Sequence, residues 1–165
     1  MKWIVTLLFV STLSLAATAQ DYLPDITVET MEGEKVSILD VVKTNGRKIT
    51  IINFWATWCK PCRNELENIA YLYPDWQDLY DVELVAVSID DTRTQPQIRP
   101  YVDGQGFDYR IVLDANQNFF QAVNGITPPL TLVVNDKGEI LEVEHGYIEG
   151  NEYKLEEKLE ELASH

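Results

Sequence analysis

Apolar residues recur along this chain at two periods, and the places where the period changes lay out its elements. Residues 26–30 alternate apolar and polar as a strand, 31–34 hold turn residues around Gly33, and 35–38 follow as the hairpin partner. A short helix over 39–44 is stopped by Asn45-Gly46. Residues 48–54 form a nearly continuous apolar run, which suits a strand buried on both faces. From Cys59 to Tyr80, the residues Leu66, Ile69, Tyr73, Trp76 and Tyr80 share one helical stripe. Pro74 should kink or interrupt that helix. Residues 82–89 form a second buried strand. Residues 95–105 are helix-like despite Pro96 and Pro100, 109–113 read as a short strand and 116–123 as a short helix. Residues 130–134 and 139–144 are strands joined by the turn Asn135-Asp136-Lys137-Gly138. Asn151 is placed to cap a last helix whose Leu155, Leu159 and Leu162 form one face. No repeat, linker or low-complexity segment divides the pattern. It predicts one α/β domain built around a single sheet.

Composition narrows this further. The chain has 165 residues, 45% of them hydrophobic and 24% charged, which excludes a disordered tail, a collagen-like repeat and a polytopic membrane protein. Lys and Arg total 13 against 27 Asp and Glu, a formal charge of -14. So acidic a surface repels phosphate backbones, and nucleic acid is not an expected partner.

The N-terminus carries an address. Lys2 supplies a positive start, residues 3–17 are apolar apart from isolated Ser and Thr, and Ala17-Thr18-Ala19 offers small residues at a cut before Gln20. This is the pattern of a secretory signal peptide over 1–19, leaving 20–165 as the folded domain. The apolar run falls short of the roughly 20 residues of a membrane span, so an uncleaved anchor is the alternative. No Cys stands near the cut for lipid attachment. The expected location is the periplasm or cell envelope, where disulfides form.

The chemistry lies in Trp58-Cys59-Lys60-Pro61-Cys62, which holds both cysteines of the chain. The pair follows a buried strand and opens a helix. A thiol there faces unpaired backbone N–H groups and the positive end of the helix dipole, which stabilise the thiolate. A thiol of pKa about 8.5 is about 3% ionised at neutral pH, whereas one near 7 is half ionised. Lys60 adds positive charge, and Pro61 fits a first helical turn while stiffening the loop. Two intervening residues put Cys59 at an exposed helix tip, as the attacking nucleophile. Cys62 lies one turn further in, as the resolving thiol. A purely structural disulfide would close too short a loop to stabilise much. A zinc site needs four ligands, and only His145 and His165 could join the cysteines. A copper site with His145 is allowed by chemistry, but His145 sits at a strand end where a surface role is commoner. No metal is therefore expected, nor any nucleotide or flavin, so the Cys pair is itself the redox group.

The segment Asn53-Phe54-Trp55-Ala56-Thr57-Trp58-Cys59-Lys60-Pro61-Cys62-Arg63 resembles the active-site segment of the thioredoxin superfamily, and within it the exported TlpA/ResA-like thiol-disulfide oxidoreductases. The resemblance runs from about Leu23 to the end. It implies a thioredoxin fold: a central mixed sheet flanked by helices, with an N-terminal β-hairpin and a strand-helix insert between Asp90 and Val123. It implies a cis-proline beside the Cys pair, matched by Pro129, which helps hold the substrate strand. Here Pro128 precedes it, so one backbone donor to a docked peptide is missing. It also implies that Glu65, one turn beyond Cys62, carries the proton of the resolving thiol, since Asn53 stands where many thioredoxins have a titratable Asp. Spacing independently allows the Cys62–Glu65 contact. Trp58 borders the reactive sulfur and joins Lys60, Pro61, Pro128 and Pro129 in the docking rim, while Trp55 reads as core.

These features point to a reductase of disulfides in exported proteins, the apocytochromes of c-type haem maturation among them by family likeness. Its electrons would come from another thiol protein, such as a membrane-borne reductase. A thiol peroxidase of the same fold is the alternative, although Thr57 is too close to Cys59 for the peroxidatic pattern. A binding module with an incidental Cys pair is the non-catalytic alternative.

Overall fold

A computed structural model describes residues 22–164. The expected signal peptide and His165 lie outside the described residues. Seven strands form one sheet in the order β2-β1-β5-β4-β3-β6-β7. At its centre β3 (Ile49–Trp55) is buried at every position, as its continuous apolar run requires. It runs parallel to β4 (Val82–Ser88) and antiparallel to β6 (Leu130–Asn135), so the sheet is mixed. The N-terminal hairpin is β1 (Thr27–Thr30) with β2 (Lys35–Ser37), followed by α1 (Ile38–Thr44). Ser37 caps α1 by accepting the Asp40 N–H.

The long helix α2 (Lys60–Tyr80) buries Cys62, Glu65, Leu66, Ile69, Tyr73 and Trp76, one stripe at helical spacing against the sheet. Pro74 does not interrupt it, contrary to expectation. Losing one backbone bond costs about 3 kcal/mol. Burial of Tyr73 and Trp76 on either side offsets that, and the Tyr73 hydroxyl also accepts the Leu84 N–H across to β4.

Between β4 and β6 a 3-10 turn over Gln95–Gln97 leads into α3 (Ile98–Gln105). Pro96 and Pro100 both fall in first turns, where an N–H has no helical partner to lose. Then β5 (Arg110–Leu113) inserts between β1 and β4, and α4 (Asn118–Ala122) follows, shorter than the pattern suggested. The last strand β7 (Ile140–His145) forms one edge of the sheet, and α5 (Asn151–Ala163) packs on α2. Asn151 is not the cap of α5. The cap residue is Gly150, at φ 99°, and Glu152 accepts the Gly150 N–H at 2.9 Å. A positive φ is open to glycine without penalty, which moves the helix boundary one residue earlier.

Among the described residues no helix is long and apolar enough to cross a membrane.

Candidate active site

β3 ends at Trp55, and the chain turns at once into α2. Cys59 is the residue before the helix, with φ -87° and ψ 100°. Its Sγ accepts the Cys62 N–H at 3.3 Å, so a sulfur takes the place of a capping oxygen. Cys59 and Cys62 are joined as a disulfide with Cα atoms 5.3 Å apart. Lys60 and Pro61 occupy the first helical turn and are exposed. The structure corrects one expectation. Cys59 does not protrude at an exposed tip: it is 6% exposed and Cys62 is fully buried. Its sulfur is turned inward by the bond to Cys62. The exposed group beside it is Trp58, at 57%.

The loop before the cysteines is fastened from the end of β4. Buried Asp90 accepts the Thr57 backbone N–H at 2.8 Å and the Thr57 hydroxyl at 2.6 Å. It also accepts the Ser88 hydroxyl at 2.9 Å. Trp55 is core, as expected, with its ring 5.5 Å from that of Tyr101. Tyr101 in turn donates to Glu67 at 2.9 Å and lies under the Arg63 guanidinium.

Beneath the disulfide lies a second buried carboxyl. Cys62 and Glu65 share the inward stripe of α2, and Glu65 is 4% exposed. The Asn53 amide donates to Glu65 Oε2 at 3.0 Å and to the Thr131 hydroxyl at 2.8 Å. The Thr131 hydroxyl donates to Glu65 Oε1 at 3.1 Å. Asn53 and Thr131 are direct partners in the β3–β6 register, and Thr131 is in turn opposite Glu144 on β7. Burial pushes the Glu65 carboxyl up to about 7. The bonds from Asn53 and Thr131 oppose the rise, and the charges of Glu144 and Glu152 add to it.

The peptide bond between Pro128 and Pro129 is cis, and Pro129 is buried. These residues line an open groove of about 490 Å³ with Pro61, Ile126, His145 and Tyr147. Ile126 and Ile148 stand exposed near it. The groove brings Pro61 together with Pro128 and Pro129, while exposed Trp58 and Lys60 flank Cys59 in the chain and Glu65 shares the inward stripe of α2 with Cys62. Among the described residues no group of three His, Cys, Asp or Glu side chains is placed to hold a metal ion.

Sequence reasoning missed Asp90, Thr57 and Ser88 as a unit, and Thr131 and Glu144 beside Glu65. A signal existed for one of these, Thr131. Asn53 and Thr131 are polar residues inside apolar strand runs, and a buried polar group calls for a partner.

Comparison with known proteins gives a consistent picture. Residues 19–143 match the model of the AhpC/TSA family. The thioredoxin-like protein YneN of Bacillus subtilis is 31% identical over 138 residues, 83% of this chain and 76% of that protein. The thiol-disulfide oxidoreductase ResA of Halalkalibacterium halodurans is 30% identical over 131 residues, covering 79% and 70% respectively. The solution structure of a thioredoxin-like protein from Porphyromonas gingivalis superposes with a TM-score of 0.74 at 38% identity, covering 86% of this chain and 92% of that one.

Proposed function

The chain belongs to the AhpC/TSA family and is a thioredoxin-fold thiol-disulfide oxidoreductase, and on that premise we propose that it reduces disulfides in exported proteins through Cys59 and Cys62. The observation that carries the reading is the pairing of a helix-capping disulfide with a buried carboxyl whose pKa of about 7 matches a proton carrier at neutral pH.

The reduced pair begins the cycle. Backbone N–H groups at the start of α2 favour the Cys59 thiolate. It attacks one sulfur of a substrate disulfide, forming a mixed disulfide and releasing the other sulfur as a thiolate. Cys62 then attacks Cys59. Its sulfur is fully buried, where a thiolate is disfavoured and a base is needed, and Glu65 one turn away takes the proton. The second substrate thiolate leaves, and Cys59–Cys62 is a disulfide again. Two electrons from a second thiol protein restore the dithiol, and a membrane-borne reductase fits that need. Trp58, Pro61 and the Pro128–Pro129 wall form the docking rim, with exposed Lys60 beside them. The signal pattern of 1–19 supports export to the periplasm or cell envelope, and family likeness supports apocytochromes of c-type haem maturation among the substrates.

Trapping tests this. Cys62→Ser should accumulate mixed disulfides with exported proteins, and Cys59→Ser should not; equal trapping on non-reducing gels would sink the division of roles. The wild-type protein should also reduce insulin. Peroxide consumption without insulin reduction would favour the thiol peroxidase. The Thr57 hydroxyl, committed to Asp90, supports the disulfide reaction instead.

A further inference from the structure

The loop after β7 supplies one side of the docking groove, and one side chain fastens it. β7 ends at His145 and α5 starts at Asn151. The residues between run from Gly146 to Gly150, at φ 74° and 99°, a region that glycine enters without strain. The Gly146 N–H donates to the Pro129 carbonyl at 2.9 Å, which ties the start of the loop to the cis-proline. Ile148 and Glu149 are exposed. Tyr147 is half-buried, and its hydroxyl meets two helices. It accepts the Asn68 amide N–H of α2 at 2.6 Å and donates to Glu152 of α5 at 2.7 Å. The same Glu152 oxygen accepts the Gly150 N–H at 2.9 Å. One phenol thus joins the loop, the helix that carries the Cys pair and the first turn of α5.

Both partners of the bond keep the protonation state it needs. Burial, and then the bond to Glu152, push the Tyr147 phenol up to about 12, so it retains the proton it donates. Burial opposes the charge on Glu152, but the bonds from Tyr147 and from backbone N–H groups outweigh it and hold the carboxyl below its usual range. A hydrogen bond to a carboxylate is stronger than one between neutral groups.

The place of Tyr147 gives the brace its consequence. Tyr147 lines the groove of Pro128 and Pro129. It also lines a second groove, of about 420 Å³, with Asn64, Asn68 and Ile148. Pro61, one of the two residues between the cysteines, lines both. Tyr147 therefore stands where the two grooves meet, across from the turn that carries the redox sulfurs.

We infer that Tyr147 is a positioning residue for polypeptide substrates: braced between Asn68 and Glu152, it presets the wall against which the chain around a substrate disulfide lies. A loop left loose must be ordered by the substrate as it binds, and that cost falls on affinity. The cost is the same before and during sulfur attack, so it raises KM and leaves kcat alone. A small disulfide that reaches only the sulfurs does not use the wall. The inference rests on the proposed reduction of protein disulfides.

Steady-state reduction of a peptide disulfide and of bis(2-hydroxyethyl) disulfide, each with dithiothreitol as electron source, tests it. Tyr147→Phe keeps the ring and removes the hydroxyl. It should raise KM for the peptide about fivefold, the worth of one hydrogen bond, with kcat within about twofold. Both constants for the small disulfide should match wild type. Glu152→Gln keeps an acceptor oxygen and should hold the peptide KM within about twofold of wild type, whereas Glu152→Ala should match Tyr147→Phe. The double variant Tyr147→Phe/Glu152→Ala should be no worse than the worse single one, because both break one brace. Melting curves show whether Glu152→Ala folds; if it does not, Asn68→Ala takes its place. A peptide KM unchanged in Tyr147→Phe overturns the inference. Equal losses on peptide and small disulfide also overturn it, since the hydroxyl would then support only the fold. So does a fall in kcat at constant KM. If wild type reduces the small disulfide but no peptide or protein disulfide, the proposed function falls instead.

Discussion

Two buried carboxyl groups flank the redox pair, and they are held in opposite ways. Asp90 is tied down by three donors: the Thr57 N–H, the Thr57 hydroxyl and the Ser88 hydroxyl. All three belong to the ends of β3 and β4 or to the loop between β3 and α2, so the carboxylate acts as a knot in the backbone. Glu65 has two donors, one per oxygen, and the charges of Glu144 and Glu152 press on it. Its partners are side chains, and one of them can reverse its bond. The first group fixes where Trp58 and Cys59 stand; the second is left able to gain and lose a proton. Burial alone, nearly the same for both, says nothing about which is which. The donor set decides.

The largest expected effect concerns stability and pH. The pKa of Glu65 lies near 7 in the fold against 4.5 as an ordinary carboxyl, so between these values the folded chain holds a proton that the unfolded chain has lost. The stabilisation is therefore full below about pH 4.5 and gone above about pH 7, a loss on the order of 3 kcal/mol as pH rises. Glu65→Gln should abolish that dependence. Urea melts of the oxidised protein at pH 4 and 9 check it: the variant should gain on wild type by about 3 kcal/mol between the two. Parallel curves would mean that Glu65 titrates normally and the contrast with Asp90 is empty.

Next comes the knot. Asp90→Asn keeps the shape but sets an NH₂ against one of the three donors. Leaving a buried donor unpaired should cost about 2 kcal/mol at both pH values. The same melts check it. A loss under about 0.5 kcal/mol would show that the loop is held by other contacts, such as the Ile89 N–H to Trp55 carbonyl bond at 2.8 Å.

Smaller again is the kinetic effect at Glu65. Glu65→Gln should slow turnover about tenfold, some 1.4 kcal/mol, while Cys59 attack changes less. Single-turnover Trp fluorescence separates the two steps. Asp90→Asn should do the reverse, disturbing Cys59 attack more than resolution. If both variants slow the same step, the two carboxyls are not divided as described.

Much of this was legible from residue order, and the gaps have physical causes. Continuous apolar runs announced β3 and β4, and the stripe at 66, 69, 73 and 76 announced α2, because burial on a regular element repeats at its period. The Cys pair was legible because strand, pair and helix follow one another within a dozen residues. Pro74 was misread: tertiary burial of its neighbours outweighs a local penalty that sequence alone shows. Asn151 was misread as a cap because Gly150 at positive φ starts the helix first. Cys59 was placed too far out because the direction of a side chain depends on its bond to Cys62. Asp90 and Thr57 are 33 positions apart, and Asn53 and Thr131 are 78 apart. Such pairs depend on sheet order and register, which no local pattern carries.

The smallest expected effect lies at the rim, outside both carboxyl groups, and it has the opposite sign. Pro128 lines the groove beside Pro61, His145 and Tyr147 and has no N–H to offer a docked chain. Any residue other than proline would present a backbone N–H at that position. Pro128→Ala supplies one. A net hydrogen bond contributes about 1 kcal/mol, so KM for a peptide disulfide should fall about fivefold. The turnover number should stay unchanged, since the new bond forms equally before and during sulfur attack. The check is a KM and kcat comparison on one peptide, beside a peptide in which an alkene isostere replaces one amide near its cysteine and so removes the carbonyl oxygen. The gain should vanish with the substituted peptide that lacks the accepting carbonyl. An unchanged KM for the ordinary peptide would mean that substrate does not run along the Pro128 wall. A changed kcat would mean that Pro128 bears on the reacting sulfurs, and the rim would then have to be counted with Glu65 and Asp90 as part of the machinery that sets the chemical step.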